Sequence, residues 1–359
     1  MRIIIRPFLF IIVGSFLFSQ GFFGKEFPEP KIKYTPKTYV CYKALTPIMI
    51  DGKLNDSAWV NTKWTESFVD IEGNLKPKPF YDTKVKMLWD DNYFYFGAEM
   101  EEPHVWATIT ARDAVIFKDN DFEIFLDPDG DTHNYYELEV NALETEWDLI
   151  LLKPYHDQSK VAVDSWDIPG LVTKVHVDGT INDPSDLDKG WSVEIAIPWK
   201  ALEECAPNLL PKEGEQWKVN FSRVQWDVDI VENQYVKTDS PEFNWVWSPQ
   251  GLIYMHMPDL WGLVQFTEAP PEQGNIEFQI SQIDQIKWAM RQVYYRQRNY
   301  FFKKGYYTES LKGLNLINTP AEGIPWPPKI VLTPSGWEAV VMWNDKNVII
   351  KKDGKVWTE

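Results

Sequence analysis

From Ile48 to Phe266 the chain breaks into short runs of alternating apolar and polar residues, bounded by Asp, Asn, Gly and Pro. A period of two places successive side chains on opposite faces of a strand, so it narrows the fold to antiparallel strands and hairpins. Val85 to Leu88 and Tyr93 to Ala98 flank Trp89-Asp90-Asp91-Asn92, a hairpin signature. Phe122 to Leu126 and Tyr135 to Leu143 flank a turn-rich stretch, residues 127–134. Trp147 to Leu152, Thr173 to Val177, Trp191 to Ile197, Trp217 to Val224 and Leu263 to Phe266 complete the set at sandwich-like spacing. Strands do not alternate with long helices, so a parallel sheet is not expected. The expected class is mainly β: a two-sheet antiparallel β-sandwich, jelly-roll or immunoglobulin-like, with a C-terminal α+β extension containing one long helix.

The flanks read differently. Arg2 and Arg6 precede the apolar run Phe8 to Phe18, broken only by Gly14 and Ser15, and small residues Ser19 and Gly21 follow. This order predicts a signal peptide over residues 1–21, cleaved from a secreted or periplasmic protein. No later stretch has membrane-spanning length. Residues 22–46, with Pro28, Pro30 and Pro36, read as an extended lead-in with room for a strand at its end. Beyond the sandwich, residues 269–359 begin with Pro270-Pro271, and Ile276, Ile280, Ile283, Met290, Tyr294 and Phe301 follow near helical spacing. One helix is expected from Asn275 to Lys304, stopped by Gly305. Ile330 to Leu332, Trp337 to Trp343 and Val348 to Lys351 then predict a small β-meander. Arg291, Arg296, Arg298, Lys303 and Lys304 give the helix a basic band among aromatic residues. That band is expected to complement the acidic sandwich in cis, with docking of a protein partner as the alternative.

Charge and cysteine content exclude several classes. Thirty-six Lys and Arg against 53 Asp and Glu give a formal charge of −17, which argues against nucleic acid as a partner. Two cysteines, Cys41 and Cys205, cannot build a zinc or iron–sulfur framework, and the sequence leaves open whether they pair.

The local signatures then fall in a recognisable order: DGKLNDSAW from Asp51, VKMLWDDNYFYFGAEM from Val85, NDFEIFLDPDGDTHNYYELEVNAL from Asn120, GWSVEIAIPWKAL from Gly190, VNFSRVQW from Val219 and MPDLWGLVQF from Met257. Together, over about residues 47–268, they resemble carbohydrate-binding module family nine, specifically its exported family nine-like proteins. The resemblance implies a two-sheet β-sandwich that binds sugars or polysaccharide fragments.

Alternation alone supplies a site for such a ligand. Phe122, Ile124 and Leu126 share one face of their strand, and Tyr136, Leu138 and Val140 share one face of the next. Glu123, Phe125, Tyr135, Glu137, Glu139 and Asn141 therefore point the other way. Carboxylates accept bonds from sugar hydroxyls and rings cover C–H faces, so the row suits a sugar; a solvated acidic face is the alternative. The resemblance carries the family's binding glutamate onto Glu123 and its asparagine onto Asn141, with Glu139 where the family has arginine. Its two stacking rings fall on Phe117 and on Met255 beside Tyr254, and its later-strand glutamine falls near Ser222, beside Arg223. The loop from Trp245 to Gly251, with Trp247 at its centre, leads into Tyr254-Met255-His256 and is either a ligand rim or core.

Three further chemistries are weighed. Asp127, Asp129 and Asp131 space carboxylates two apart; a hairpin turn explains them, and the resemblance implies a structural calcium ion there. Met255, His256 and Met257 offer axial haem ligands, with His104, His133, His156 or His176 as a partner; packing or a rim is the alternative reading. Glu123, Glu137 and Glu139 can be cast as glycosidase carboxylates, but no motif separates an acid from a nucleophile. Neither G-x-S-x-G, H-E-x-x-H nor a Walker loop occurs. A non-catalytic carbohydrate binder is the expected function.

Overall fold

The computed structural model describes residues 25–156, 160–274 and 276–359; the expected signal peptide at 1–21 lies outside the described residues. In chain order the first strands are β1 (Thr38–Lys43), β2 (Val69–Asp70), β3 (Thr83–Trp89), β4 (Tyr93–Glu101), β5 (Asp121–Asp127), β6 (Tyr135–Asn141) and β7 (Glu146–Leu151). There follow β8 (Ala162–Val163), β9 (Val172–Asp178), β10 (Gly190–Pro198), β11 (Gln216–Gln225), β12 (Val228–Val231), β13 (Gln234–Lys237), β14 (Phe243–Val246) and β15 (Gly262–Phe266). The hairpin read from Trp89 to Asn92 joins β3 to β4, with Trp89 opposite Phe94.

Two sheets face each other. One runs β8-β7-β6-β5-β11-β15-β1, with β14 and β2 continuing beside β11; the other runs β1-β3-β4-β10-β9. Strand β1 belongs to both: Thr38 to Cys41 pair with Leu263 to Phe266, and Tyr42 and Lys43 pair with Leu88 and Trp89. Both pairings are parallel, which corrects the all-antiparallel expectation. The chain can make them because β1 is reached from its partners by connections far longer than a hairpin. Cys41 lies in the core, so the sandwich begins before residue 47; Cys41 and Cys205 are both free thiols.

Phe122, Ile124, Leu126, Tyr136, Leu138 and Val140 meet Met87, Phe94, Phe96, Val193 and Ile195 between the sheets, all but fully buried. Burying each such side chain contributes roughly 1.5–3 kcal/mol. Trp247 joins this core because β15 opens with glycine: a Cβ on Gly262 would lie 2.4 Å from the Trp247 ring.

The extension consists of α2 (Gln282–Lys304), after the four-residue helix α1 (Ser57–Val60), and a sheet of β16 (Lys329–Thr333), β17 (Gly336–Trp343), β18 (Lys346–Lys351) and β19 (Val356–Thr358). The helix starts later than the apolar spacing suggested. Ser281 accepts from the Ile283 N–H and caps it, whereas Ile276 packs with the group around Tyr42 and Trp59. Gly305, at φ 78°, ends it as expected. Ile286, Met290, Val293, Tyr294 and Tyr295 bury against Trp337, Val341, Val348 and Ile350, and Leu252, Tyr254, Met257 and Leu260 join them from the sandwich side.

The lead-in ties both parts together. Phe27 stacks on Tyr295, ring centroids 5.1 Å apart, while its backbone N–H and C=O bond to the Asn299 amide. Tyr34 stacks on Trp288 and donates to Asp284 at 2.6 Å. Arg291 turns inward to bond Gly354 O and Asp259, whereas Arg296 and Lys303 pair at the surface with Glu29 and Glu26 of the lead-in. Among the described residues no helix is long and apolar enough to cross a membrane.

Candidate functional site

The face of β5 and β6 turned away from the core carries the predicted row. Register sets Glu139 opposite both Trp147 and Glu123, and Glu123 opposite Ser222, which in turn faces Val246. One residue pair along, Glu137 lies opposite Phe125 and Leu149. The row is neither a solvated face nor an open groove: Asp121 is 0% exposed, Glu139 2%, Glu123 5% and Glu137 5%.

Two segments outside the strands cover it, one just before β5 and one just after β11. The turn at Ile116–Lys118 lays its backbone over β6, where the Phe117 N–H donates to Glu139 Oε2 at 3.0 Å. Trp226 donates from its indole to Phe117 O at 2.9 Å and from its backbone to Asn120 Oδ1 at 2.7 Å. Lys237, on the β12–β13 hairpin, holds its ammonium 3.5 Å from the Trp226 ring centroid. At the other end Phe125, Tyr135 and Trp261 pack with Trp147, Tyr155 and Met255. Phe117, Trp147, Tyr155 and Trp226 remain half-buried and form the margin of the acidic floor. Trp226 escaped the sequence reading, although it closes the VNFSRVQW signature.

Burial is what governs the acids. It raises Glu123 to about 7, against the opposing hydrogen bond from Ser222. Burial and the negative charges of Glu123 and Asp121 push Glu139 well above the usual carboxylate range, and burial with Glu123 does the same to Glu137. Asp121 is raised by burial and then by Glu123; its Oδ1 accepts from the Val224 N–H and its Oδ2 has no partner.

The remaining expected residues separate. Asn141 sits at the end of the row with its amide committed: Nδ2 donates to Ile109 O and Asp119, and Oδ1 accepts from the Leu143 and Thr145 N–H groups. Arg223 leaves β11 on the face opposite Ser222 and pairs with Glu102 at 2.8 Å, fully buried. A one-residue step on a strand reverses the face, so Arg223 and Ser222 cannot act together. Trp247 is core and not rim. Tyr254 packs in the extension's core. Met255 lies beside the floor's aromatic end, its sulfur accepting from Gln250 at 3.2 Å. His256 Nδ1 bonds the Tyr135 hydroxyl at 3.0 Å among Phe125, Tyr135 and Tyr155, and burial lowers its ring to about 3.

The Asp127-Asp129-Asp131 turn satisfies itself. Asp127 accepts from the Gly130 and Thr132 N–H groups, Asp129 from Asp131 N–H, and Asp131 from His133 N–H. Lys355 pairs with Asp131 at 2.6 Å, and Lys287 donates to the carbonyls of Asp129 and Gly130. These bonds account for the turn without an ion, and the three carboxylates also bring oxygens within 4.8 Å of one another, the spacing of a cation site.

Residues 50–265 match the family model described as carbohydrate family 9 binding domain-like. No curated protein matches the chain. Among solved structures, a family 9 carbohydrate-binding module from Caldicellulosiruptor kristjanssonii in complex with cellotriose is 18% identical, covering 68% of this chain and 100% of its own, with a TM-score of 0.41. The corresponding glucose complex is 19% identical, covers 67% and 100%, and has a TM-score of 0.41. A crystal structure from Bacteroides uniformis is 16% identical, covers 65% and 100%, and has a TM-score of 0.46.

Proposed function

Because the chain belongs to the carbohydrate family 9 binding domain-like family, we propose that it is an exported, non-catalytic carbohydrate binder. It takes sugars or polysaccharide fragments at the outward face of β5, β6 and β11. The observation that carries this reading is the acidic row itself: Glu139, Glu123 and Ser222 stand side by side across three strands, within a margin of half-buried Phe117, Trp147, Tyr155 and Trp226. Buried acceptors give direction to sugar hydroxyls and ring faces cover the C–H surface, so polarity and shape are recognised together. Export is supported by the Arg2, Arg6 and Phe8 to Phe18 order at the N-terminus. The binding-domain family supports a role without catalysis.

Calorimetry of the full chain against a panel of neutral and acidic glycans tests the reading. Glu123→Ala and Phe117→Ala are each expected to weaken the best ligand about tenfold or more. Unchanged affinity in both variants removes this face as the binding site.

A further inference from the structure

Among the described residues three groups of acids bring carboxylate oxygens within 4.8 Å of one another: Asp113 with Asp148 and Asp167, Asp127 with Asp129 and Asp131, and Asp121 with Glu123 and Glu139. The fold supplies positive charge to two of them. Arg112 reaches Asp148 at 2.5 Å and Asp167 at 3.0 Å, and Lys355 reaches Asp131. The third group, the most buried of the three, is surrounded by negative charge. Asp121 feels the charges of Glu123, Asp119 and Glu137, Glu139 those of Glu123, Asp121 and Glu137, and Glu137 those of Glu123 and Asp164. Such a group costs several kcal/mol unless protons or a cation neutralise it.

We propose that Asp121, Glu123 and Glu139 hold a hard divalent cation of the calcium type. Oxygens that ligate calcium lie about 2.3–2.6 Å from it and so at most about 5 Å apart across it, the spacing this triad shows. A second observation points the same way: Asp121 Oδ2 is fully buried and unpartnered, although the other oxygen of the same carboxylate is bonded to Val224. Glu137 adds a fourth buried carboxylate beside Glu123. The donor set is oxygen throughout, without histidine or cysteine, which favours calcium over softer metals. Three carboxylates leave part of a six- to eight-oxygen shell open, and hydroxyl groups of a ligand on the same face can complete it. The alternative neutralisation is by protons shared among the acids.

Terbium luminescence sensitised by indole, together with calcium calorimetry on the chelator-treated full chain at pH 8 and without any glycan, separates the two. Saturable binding is expected, with a rise in Tm on adding calcium. Glu139→Gln and Asp121→Asn, both near-isosteric, should each weaken binding at least tenfold, and Asp129→Asn should leave it unchanged. If either of the first two fails to fold, the other gives the same reading. No saturable binding at millimolar metal overturns the proposal and leaves protons as the neutralising charge. Loss in Asp129→Asn with retention in Glu139→Gln also overturns it, by placing the ion on the turn. Because glycan is absent, either result stands apart from the carbohydrate assignment.

Discussion

Ser222 and Arg223 are neighbours on β11, yet they open onto opposite electrostatic situations. On the inner side Arg223 meets Glu102, Thr83, Gln225 and the Glu101 carbonyl, so every buried charge there has its complement. On the outer side Ser222 meets Glu123, behind which stand Glu139, Asp121 and Glu137, and among the described residues no cation is paired with them. Both regions are nearly sealed from water. The difference teaches that burial does not distinguish structure from function in this protein; the supply of a countercharge does. Where folding completes the charge balance the residues hold the sandwich, and where it leaves the balance open the proposed cation or shared protons would close it.

The largest effect should come from breaking the complete side. Arg223→Ala strands Glu102 in the interior and is expected to cost about 3–5 kcal/mol, read by chemical denaturation. A loss below about 1 kcal/mol would erase the contrast.

The incomplete side should announce itself through pH. Glu123 is raised in the folded protein, so the native state retains a proton that the unfolded chain has released above about pH 4.5. Its contribution is therefore greatest at low pH and is lost as pH rises through about 7. In chelator, the stability of the wild type minus that of Glu123→Gln should fall by about 2 kcal/mol between pH 5 and 8. A flat or rising difference would mean that the floor is already neutralised.

The smallest effect belongs to a pair that is complete and has its cation partly in water. Lys355 is 32% exposed in its bridge to the buried Asp131, and Lys355→Met should cost about 1 kcal/mol, because water can reach part of the site the ammonium leaves. A larger loss would move that turn into the class of Arg223.

Local pattern made the β5 and β6 faces legible: strict alternation sorts Phe122, Ile124 and Leu126 from Glu123 and Phe125 without knowledge of any partner strand. The same logic found the β3–β4 hairpin and the stop at Gly305. What it could not reach was covering and crossing. Glu123 and Glu139 look exposed from their strands alone, and become buried because Phe117 and Trp226, outside both strands, close over them. For Trp247 the choice between rim and core stayed open, because nothing local reveals that Gly262 leaves room for its ring. Arg223 was grouped with Ser222 by adjacency, whereas the strand's period separates them. The double membership of β1 depends on pairings more than 200 positions away for one sheet and about 45 for the other.

That double membership also orders events in time. The seam of the sandwich is made by its first strand, β1, and, on one side, by its last strand, β15. Phe27 waits longer still for Tyr295 and Asn299. Contacts so distant in sequence make folding slow, because a long loop must close before any reward is collected. A chain halted before residue 266 holds β1 without half its neighbours, so the sandwich closes only once β15 is available.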